Sequence, residues 1–312
     1  MKRALVTGRA GFVGRHFVRR LEADGWSVSG CDIREPHGID ARRVFADEWG
    51  GRFDLLVHAA AIVGGRETID GEPLKVASDL AIDSDAFQWA VRTGVGRVLY
   101  FSSSAAYPIR YQTGGDGWDT DRGLSSRYPL HEADLDLRNV SEPDQSYGWV
   151  KVTGEKLAAL ARAEGVPVTV VRPFSGYGAD QDLTYPFPSF VQRALAVRDG
   201  ARTFPIWGDG RQVRDFVHVD DVVGACLAIM ESGTEDPVNL CTGRPTSFND
   251  LAELMLDAVG APCGVDRVEL EHDLTKPVGV AYRVGDPGRM LTYYRPRVSL
   301  EDGIRRALRG ES

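Results

Sequence analysis

Cysteine is scarce in this chain. Its four cysteines, Cys31, Cys226, Cys241 and Cys263, are spread over 312 residues without a Cys-x-x-Cys pair. That spacing excludes a disulfide framework and a cysteine zinc site, and leaves them as small core residues. The histidines offer no metal site either: His16, His37, His131 and His272 lack ligand spacing and read as solvated or capping groups. Positive charge is in deficit, with 37 Lys and Arg against 45 Asp and Glu and a net charge of −8. No global basic field exists to hold nucleic acid or an anionic membrane, so an anionic ligand must be gripped locally. Long apolar runs are missing as well: none reaches the ~18 residues of a membrane span, and Met1-Lys2-Arg3 leads at once into Ala4-Leu5-Val6-Thr7, too soon for a signal peptide. A reducing cytoplasm is the expected location. There is no internal repeat and no low-complexity tract, and 43% hydrophobic with 26% charged residues excludes collagen-like and disordered classes.

What is present is an alternation. Short β-rich runs occur at 4–6, 27–31, 53–58, 97–102 and 166–172, separated by helix-like stretches such as 12–21, 83–92 and 147–164. Strands alternating with helices predict an α/β fold with a parallel sheet covered on both faces. Beyond Ser175 the composition shifts toward Pro, Gly and aromatic residues, as in Tyr185-Pro186-Phe187-Pro188. The expected division is 1–175 for the sheet domain and 176–312 for a smaller lobe, with about 212–235 packing back on the first. The stretch 109–140 has no clear periodicity and is longer than an idle connection, which points to a loop over a site.

The strongest local signal is Thr7-Gly8-Arg9-Ala10-Gly11-Phe12-Val13-Gly14, where a strand runs into a helix. Gly8, Gly11 and Gly14 form a G-x-x-G-x-x-G variant of the dinucleotide fingerprint, in which the backbone turns tightly, approaches a pyrophosphate and packs the helix on the sheet. The helix end offers unpaired N–H groups to the phosphates. Asp32 follows Gly14 by 18 residues at the end of the second strand, near the spacing of the carboxylate that binds the adenosine ribose. It would repel a 2′-phosphate, which favours NAD over NADP, while Arg34 beyond Ile33 partly offsets that preference. The expected fold is therefore a Rossmann doubly wound sheet with a smaller carboxy-terminal substrate-binding lobe.

A second constellation is Ser102-Ser103-Ser104-Ala105-Ala106-Tyr107 at the end of an apolar strand, followed 44 residues after Ser103 by Tyr147-Gly148-Trp149-Val150-Lys151. On a helix, positions i and i+4 share a face, so Tyr147 and Lys151 project side by side. An ammonium beside a phenol favours the phenolate and brings a group with an ordinary pKa of about 10 toward the working range of a general base. A serine hydroxyl opposite completes a clamp on a substrate oxygen.

In this order the pieces resemble the extended short-chain dehydrogenase/reductase family, specifically NAD-dependent nucleotide-sugar epimerases, dehydratases and reductases. Five segments carry the resemblance: 7–14, His58-Ala59-Ala60-Ala61, 101–108, 147–151, and 207–221 ending in Asp220-Asp221. It implies Ser103, Tyr147 and Lys151 as catalytic residues, Ser103 being the one four before Tyr107 and Ser104 the alternative. It implies a cofactor site of Gly8, Gly11, Phe12, Val13, Gly14, Asp32, Ile33, Arg34, Ala59, Ala60, Ala61, Tyr147 and Lys151. Ser103, Ser104, Ser175, Arg214 and Arg283 would face a nucleotide-diphosphate sugar, the two arginines gripping the diphosphate through their forked guanidinium groups. His58 and His218 lie in family segments but look structural. A homodimer joined through the helices near 83–92 and 147–164 is also implied.

Ala60-Ala61-Ile62-Val63-Gly64-Gly65 and Ser103-Ser104-Ala105-Ala106-Tyr107-Pro108 look most like the branch holding GDP-mannose 3,5-epimerase and GDP-fucose synthase. Those enzymes carry a cysteine where this chain has Ala105, and a second acid/base in the later loop, for which only Tyr185 or Asp180 is at hand. Alanine moves no proton, so double epimerisation is disfavoured. The 4,6-dehydratases carry an Asp-Glu pair, and sugar-nucleotide decarboxylases a glutamate, where this chain has Ser104 and Ala105. The expected activity is epimerisation through a transient keto-sugar, with Tyr147 as base and hydride passing to and from NAD. The alternative is an NAD(P)H-dependent 4-ketosugar-nucleotide reductase, and from another class a non-catalytic NAD-binding module.

Overall fold

Apolar runs with no polar alternation make strands that must be buried on both faces, and such runs pair here, with the less buried Ser27–Cys31 at one edge, into one six-stranded sheet. The computed structural model describes residues 1–36, 38–46, 51–62, 64, 66–113, 127–261 and 268–311. His37, Val63, Gly65, Cys263 and the glycine-rich run 114–117 lie outside the described residues. The strands are β1 (Arg3–Thr7), β2 (Ser27–Cys31), β3 (Leu55–His58), β4 (Val98–Phe101), β5 (Val168–Pro173) and β6 (Val238–Leu240). They run parallel in the order β2-β1-β3-β4-β5-β6. Successive side chains leave the sheet on opposite sides. Ala4 and Val6 join Phe17 and Leu21 of α1 (Phe12–Ala23) and Val222, Cys226 and Ile229 of a later helix in one core. Leu5 joins Phe87 and Ala90 of α2 (Asp79–Thr93) and Ala158 and Ala161 of α3 (Gln145–Ala163) in the other. The expected doubly wound α/β sheet is the observed one.

The second half of the chain returns to this sheet more fully than the 212–235 expected from sequence. The helix α4 (Val219–Ser232) covers one face, β6 adds the sixth strand, and Met290 still belongs to the same core. The rest forms a lobe of its own around the helices Pro186–Arg198, Phe248–Ala258 and Leu300–Leu308, which share one apolar core. The described part of the 109–140 stretch is packed. Tyr111, Leu130 and Leu135 join Tyr107, Phe174 and Cys241 in a wedge between sheet and lobe, and Leu130 bridges to Gly285. Cys31, Cys226 and Cys241 are buried and free, and burial pushes the Cys31 thiol up to about 12. Among the described residues no helix is long and apolar enough to cross a membrane.

Candidate active site

The sheet order reverses between β1 and β3, and crevices in such sheets open at the carboxyl ends of the strands on either side of that reversal. Gly8 stands there with φ 69°. A Cβ on it would lie 2.8 Å from the Ala59 oxygen and 2.9 Å from the Ala60 nitrogen, so only glycine lets the turn after β1 meet the turn after β3. Thr7 locks the same junction, its hydroxyl contacting His58 Nδ1 at 2.9 Å and accepting from the Ala60 N–H at 3.2 Å. Within α1, a Cβ on Gly14 would fall 2.0 Å from the Gly8 oxygen, and one on Gly11 3.0 Å from it. The three glycines thus let the loop, the start of α1 and the turn after β3 approach one another closely, in a cradle at the start of a helix whose amides suit phosphate. Phe12 lies against Gly178, and Val13 packs on the sheet core.

Asp32, buried at the end of β2, accepts from the Ala10 N–H at 3.0 Å and the Arg34 N–H at 2.8 Å, one on each oxygen. The carboxylate is therefore held rigidly by the glycine loop, with a second lone pair on each oxygen for ribose hydroxyls. Ile33 is 69% exposed and Arg34 is exposed beside it, while Ala59, Ala60 and Ala61 form a half-buried lip across the crevice. Cradle, helix start and carboxylate fit a dinucleotide.

The three serines after β4 have different surroundings. Ser102 is buried and donates to Glu155 at 2.5 Å, and Ser104 is buried in a 3-10 turn. Ser103 is half-buried and accepts from the Ala105 N–H at 3.1 Å, which orients its hydroxyl and leaves its proton to donate. This turn is fastened to the start of α3 by the Asp144 N–H, which donates to the Ala105 oxygen at 2.9 Å. Tyr147 is thereby placed in the first turn of α3 and is half-buried. Lys151 is buried one turn further, its Nζ 5.6 Å from the centre of the Tyr147 ring and 5.3 Å from that of Tyr100. Burial opposes the Lys151 charge, but Tyr147, Asp83 and Asp79 outweigh it and hold the ammonium pKa above its ordinary value.

Those two aspartates are residues that sequence reasoning missed. They sit i and i+4 on α2, among the buried positions that include Phe87 and Ala90. Asp83 accepts from the Tyr100 hydroxyl at 2.6 Å and pairs with His58 Nε2 at 3.0 Å. Asp79 accepts from the Ile62 N–H at 2.7 Å. Carboxylates on the apolar stripe of a helix were the available signal. Tyr185 is half-buried, and burial, then the charges of Tyr147 and Asp182, push its phenol up. Asp180, by contrast, is bound by Arg15 at 2.6 Å and His16 at 3.1 Å and faces α1.

The lobe brings the expected arginines together. Arg214 on Val213–Arg214 and Arg283 on Tyr282–Arg283 are directly opposite each other in parallel register. Arg214 donates to the carbonyls of Val213 and Val280 at 2.8 Å, and Arg283 donates to Gln112 and, at 2.6 Å, to Asp144 at the start of α3. Ser175 is half-buried just beyond β5, its N–H held by the Asp215 oxygen at 2.9 Å.

Comparison with known proteins agrees with this geometry. The profile described as "NAD dependent epimerase/dehydratase family" matches residues 4–241. A dTDP-4-dehydro-6-deoxy-D-allose reductase of Streptomyces sp is 30% identical over 308 residues, covering 92% of this chain and 88% of that enzyme. The GDP-L-fucose synthase of Escherichia coli strain K12 is 28% identical over 328 residues, covering 97% and 94%. Among solved structures, the UDP-glucose 4-epimerase of Thermotoga maritima with UDP-glucose superposes with a TM-score of 0.79 at 25% identity, covering 99% of this chain and 98% of that one.

Proposed function

The chain belongs to the NAD-dependent epimerase/dehydratase family and is a nucleotide-sugar-modifying enzyme using a nicotinamide cofactor, and from that premise we propose that it reduces the 4-keto group of a nucleotide-linked sugar. The observation that carries this is similarity over 92% of the chain to a 4-keto-sugar reductase, in a chain that has Ser103 on the turn fastened to the start of α3 and Tyr147 beside Lys151 on that helix. Ala105, buried where an acid would be needed for inversion at carbon, supports chemistry confined to one carbonyl.

When bound, the reduced nicotinamide supplies the hydride. Gly8, Gly11 and Gly14 would hold its pyrophosphate and Asp32 its adenosine ribose. Ser103 donates a hydrogen bond to the substrate oxygen and polarises the carbonyl. Tyr147 gives that oxygen its proton as the alcohol forms, and the Lys151 ammonium steadies the phenolate left behind. Arg214 and Arg283, adjacent on the lobe sheet, stand on the diphosphate side. Epimerisation through a transient ketone uses the same groups without net reduction, and likeness to a UDP-glucose 4-epimerase favours it as the second reading.

The reading includes a homodimer in the cytoplasm. Leu160, 64% exposed, and Trp149, 46% exposed, stand on α3 beside α2, a surface suited to a two-fold helix pairing.

A coenzyme-oxidation screen with dTDP- and GDP-linked 4-keto sugars tests the reading. Stoichiometric loss of NADH or NADPH with a single C4 alcohol as product is expected. Inversion of an ordinary nucleotide sugar with no coenzyme consumed would replace it by epimerisation.

A further inference from the structure

Two carboxyls stand beneath one ammonium. Asp79 is 0% and Asp83 1% exposed, both belong to α2, and Asp83 accepts from the hydroxyl of Tyr100, whose ring centre lies 5.3 Å from Lys151 Nζ of α3. Gly154 makes room for Asp83 and its Tyr100 partner, since a Cβ there would lie 1.7 Å from the Tyr100 hydroxyl and 2.8 Å from Asp83 Oδ2. The oxygens of Asp83 are both occupied, by His58 of β3 at 3.0 Å and by the Tyr100 hydroxyl of β4 at 2.6 Å. Asp79 differs. Its Oδ1 accepts from Ile62 at 2.7 Å, while its Oδ2 has no hydrogen-bond partner among the described residues. Ile62 continues the Ala59-Ala60 turn that touches Gly8, so one carboxyl reaches both the cofactor cradle and the surroundings of Lys151.

We infer that Asp79 is a positioning residue whose charge, added to that of Asp83, tempers the pull of Lys151 on the Tyr147 phenol while its Oδ1 fastens the 59–62 turn. The inference rests on the proposal that Tyr147 and Lys151 carry the proton transfer. The groups facing Lys151 are Tyr147 on its own helix, Asp79 and Asp83 on α2, and the Tyr100 ring on β4, with His58 behind Asp83. Burial pushes the Asp79 carboxyl up to about 6, the nearby Lys151 pulling it back, whereas Lys151 and the His58 and Tyr100 hydrogen bonds overcome burial and hold Asp83 low. The charge beneath Lys151 therefore changes near neutrality. Above pH 6 both carboxyls oppose the ammonium. Below pH 6 only Asp83 opposes the ammonium.

Asp79→Asn keeps an oxygen for the Ile62 N–H and removes the charge. The tyrosinate absorbance lost on adding Tyr147→Phe isolates Tyr147 without any sugar present. We expect this signal to develop about one pH unit lower in Asp79→Asn than in the wild type. The alkaline limb of kcat/KM for keto-sugar reduction should move with it, and the two enzymes should converge below pH 6. An unmoved tyrosinate signal, or a rate ratio constant at every pH, would overturn the inference and leave Asp79 a structural residue. Absence of any keto-sugar turnover by the wild type would sink the proposed function instead, and the tyrosinate titration would still decide the present point. Should Asp79→Asn fail to fold, Asp79→Ser, which also removes the charge, is titrated in its place.

Discussion

A Cβ on Gly148 would stand 2.5 Å from the peptide oxygen of Ala105, closer than any real side chain approaches a backbone oxygen. The helix bearing Tyr147 and the turn bearing Ser103 meet at this point, and the Asp144 N–H clasps the same oxygen at 2.9 Å. Pro143 closes the other side, its Cβ 2.8 Å from the same position. Gly148→Ala must push Tyr147 away from Ser103. A kcat loss of about 10²-fold is expected for such a misplacement, with about 1–3 kcal/mol of stability. Steady-state kinetics beside a denaturant titration check this, and a variant retaining full kcat would show that the two segments move independently.

Arg172 lies under this junction and is 1% exposed. Its Nε and Nη2 donate to the two oxygens of Glu155 at 2.8 Å each, and Nη1 donates to the Tyr107 hydroxyl and the Glu132 carbonyl. Glu155→Gln leaves that guanidinium buried without a counter-charge. A cost of about 3–5 kcal/mol is expected from urea unfolding, and a cost under about 1 kcal/mol would mean that water reaches the site.

Asp79 carries an opposite expectation for stability. Its carboxyl pKa is raised by burial from 3.8 to about 6, so the folded state holds the proton more tightly than the unfolded chain. The stability tied to that proton is present below pH 3.8 and is lost as pH rises through 6. Asp79→Asn suffers no such loss. Its melting temperature should exceed that of the wild type by an amount that grows from pH 4 to about 6 and is flat above, with up to about 3 kcal/mol at stake. A gain independent of pH would contradict the assignment. A charge kept at a cost in stability is what a functional position shows.

Asp32 is held between the Ala10 and Arg34 amides, and under the proposed function its negative charge would oppose a 2′-phosphate. Asp32→Ser removes the charge and leaves the exposed Arg34 in place. The kcat/KM for NADH should fall by about 10- to 100-fold, the worth of a hydrogen bond to a charged group, while the ratio of NADPH to NADH use rises. Unchanged coenzyme preference would place the ribose elsewhere.

The cofactor cradle was legible because backbone requirements leave glycine no substitute. Gly8, Gly11 and Gly14 announce a close approach, and Gly8 makes it against Ala59 and Ala60. Tyr147 and Lys151 were legible because four residues make a helical turn. Asp79 and Asp83 were not: their spacing is the same, but only tertiary packing shows that they face Lys151 rather than water. The difference between half-buried Ser103 and buried Ser104 was not legible either, because it depends on the 3-10 turn that follows β4. The adjacency of Arg214 and Arg283 could not be read, because a two-residue strand pairing 69 positions apart leaves no periodicity.

The most direct test of the account is product NMR after incubation of a dTDP- or GDP-linked 4-keto sugar with coenzyme deuterated at the transferred position. The account predicts one deuterium at C4 for each coenzyme oxidised, and a loss of at least about 10²-fold in that rate on Tyr147→Phe. Inverted sugar formed without coenzyme oxidation, or a Tyr147→Phe enzyme as fast as the wild type, would contradict it.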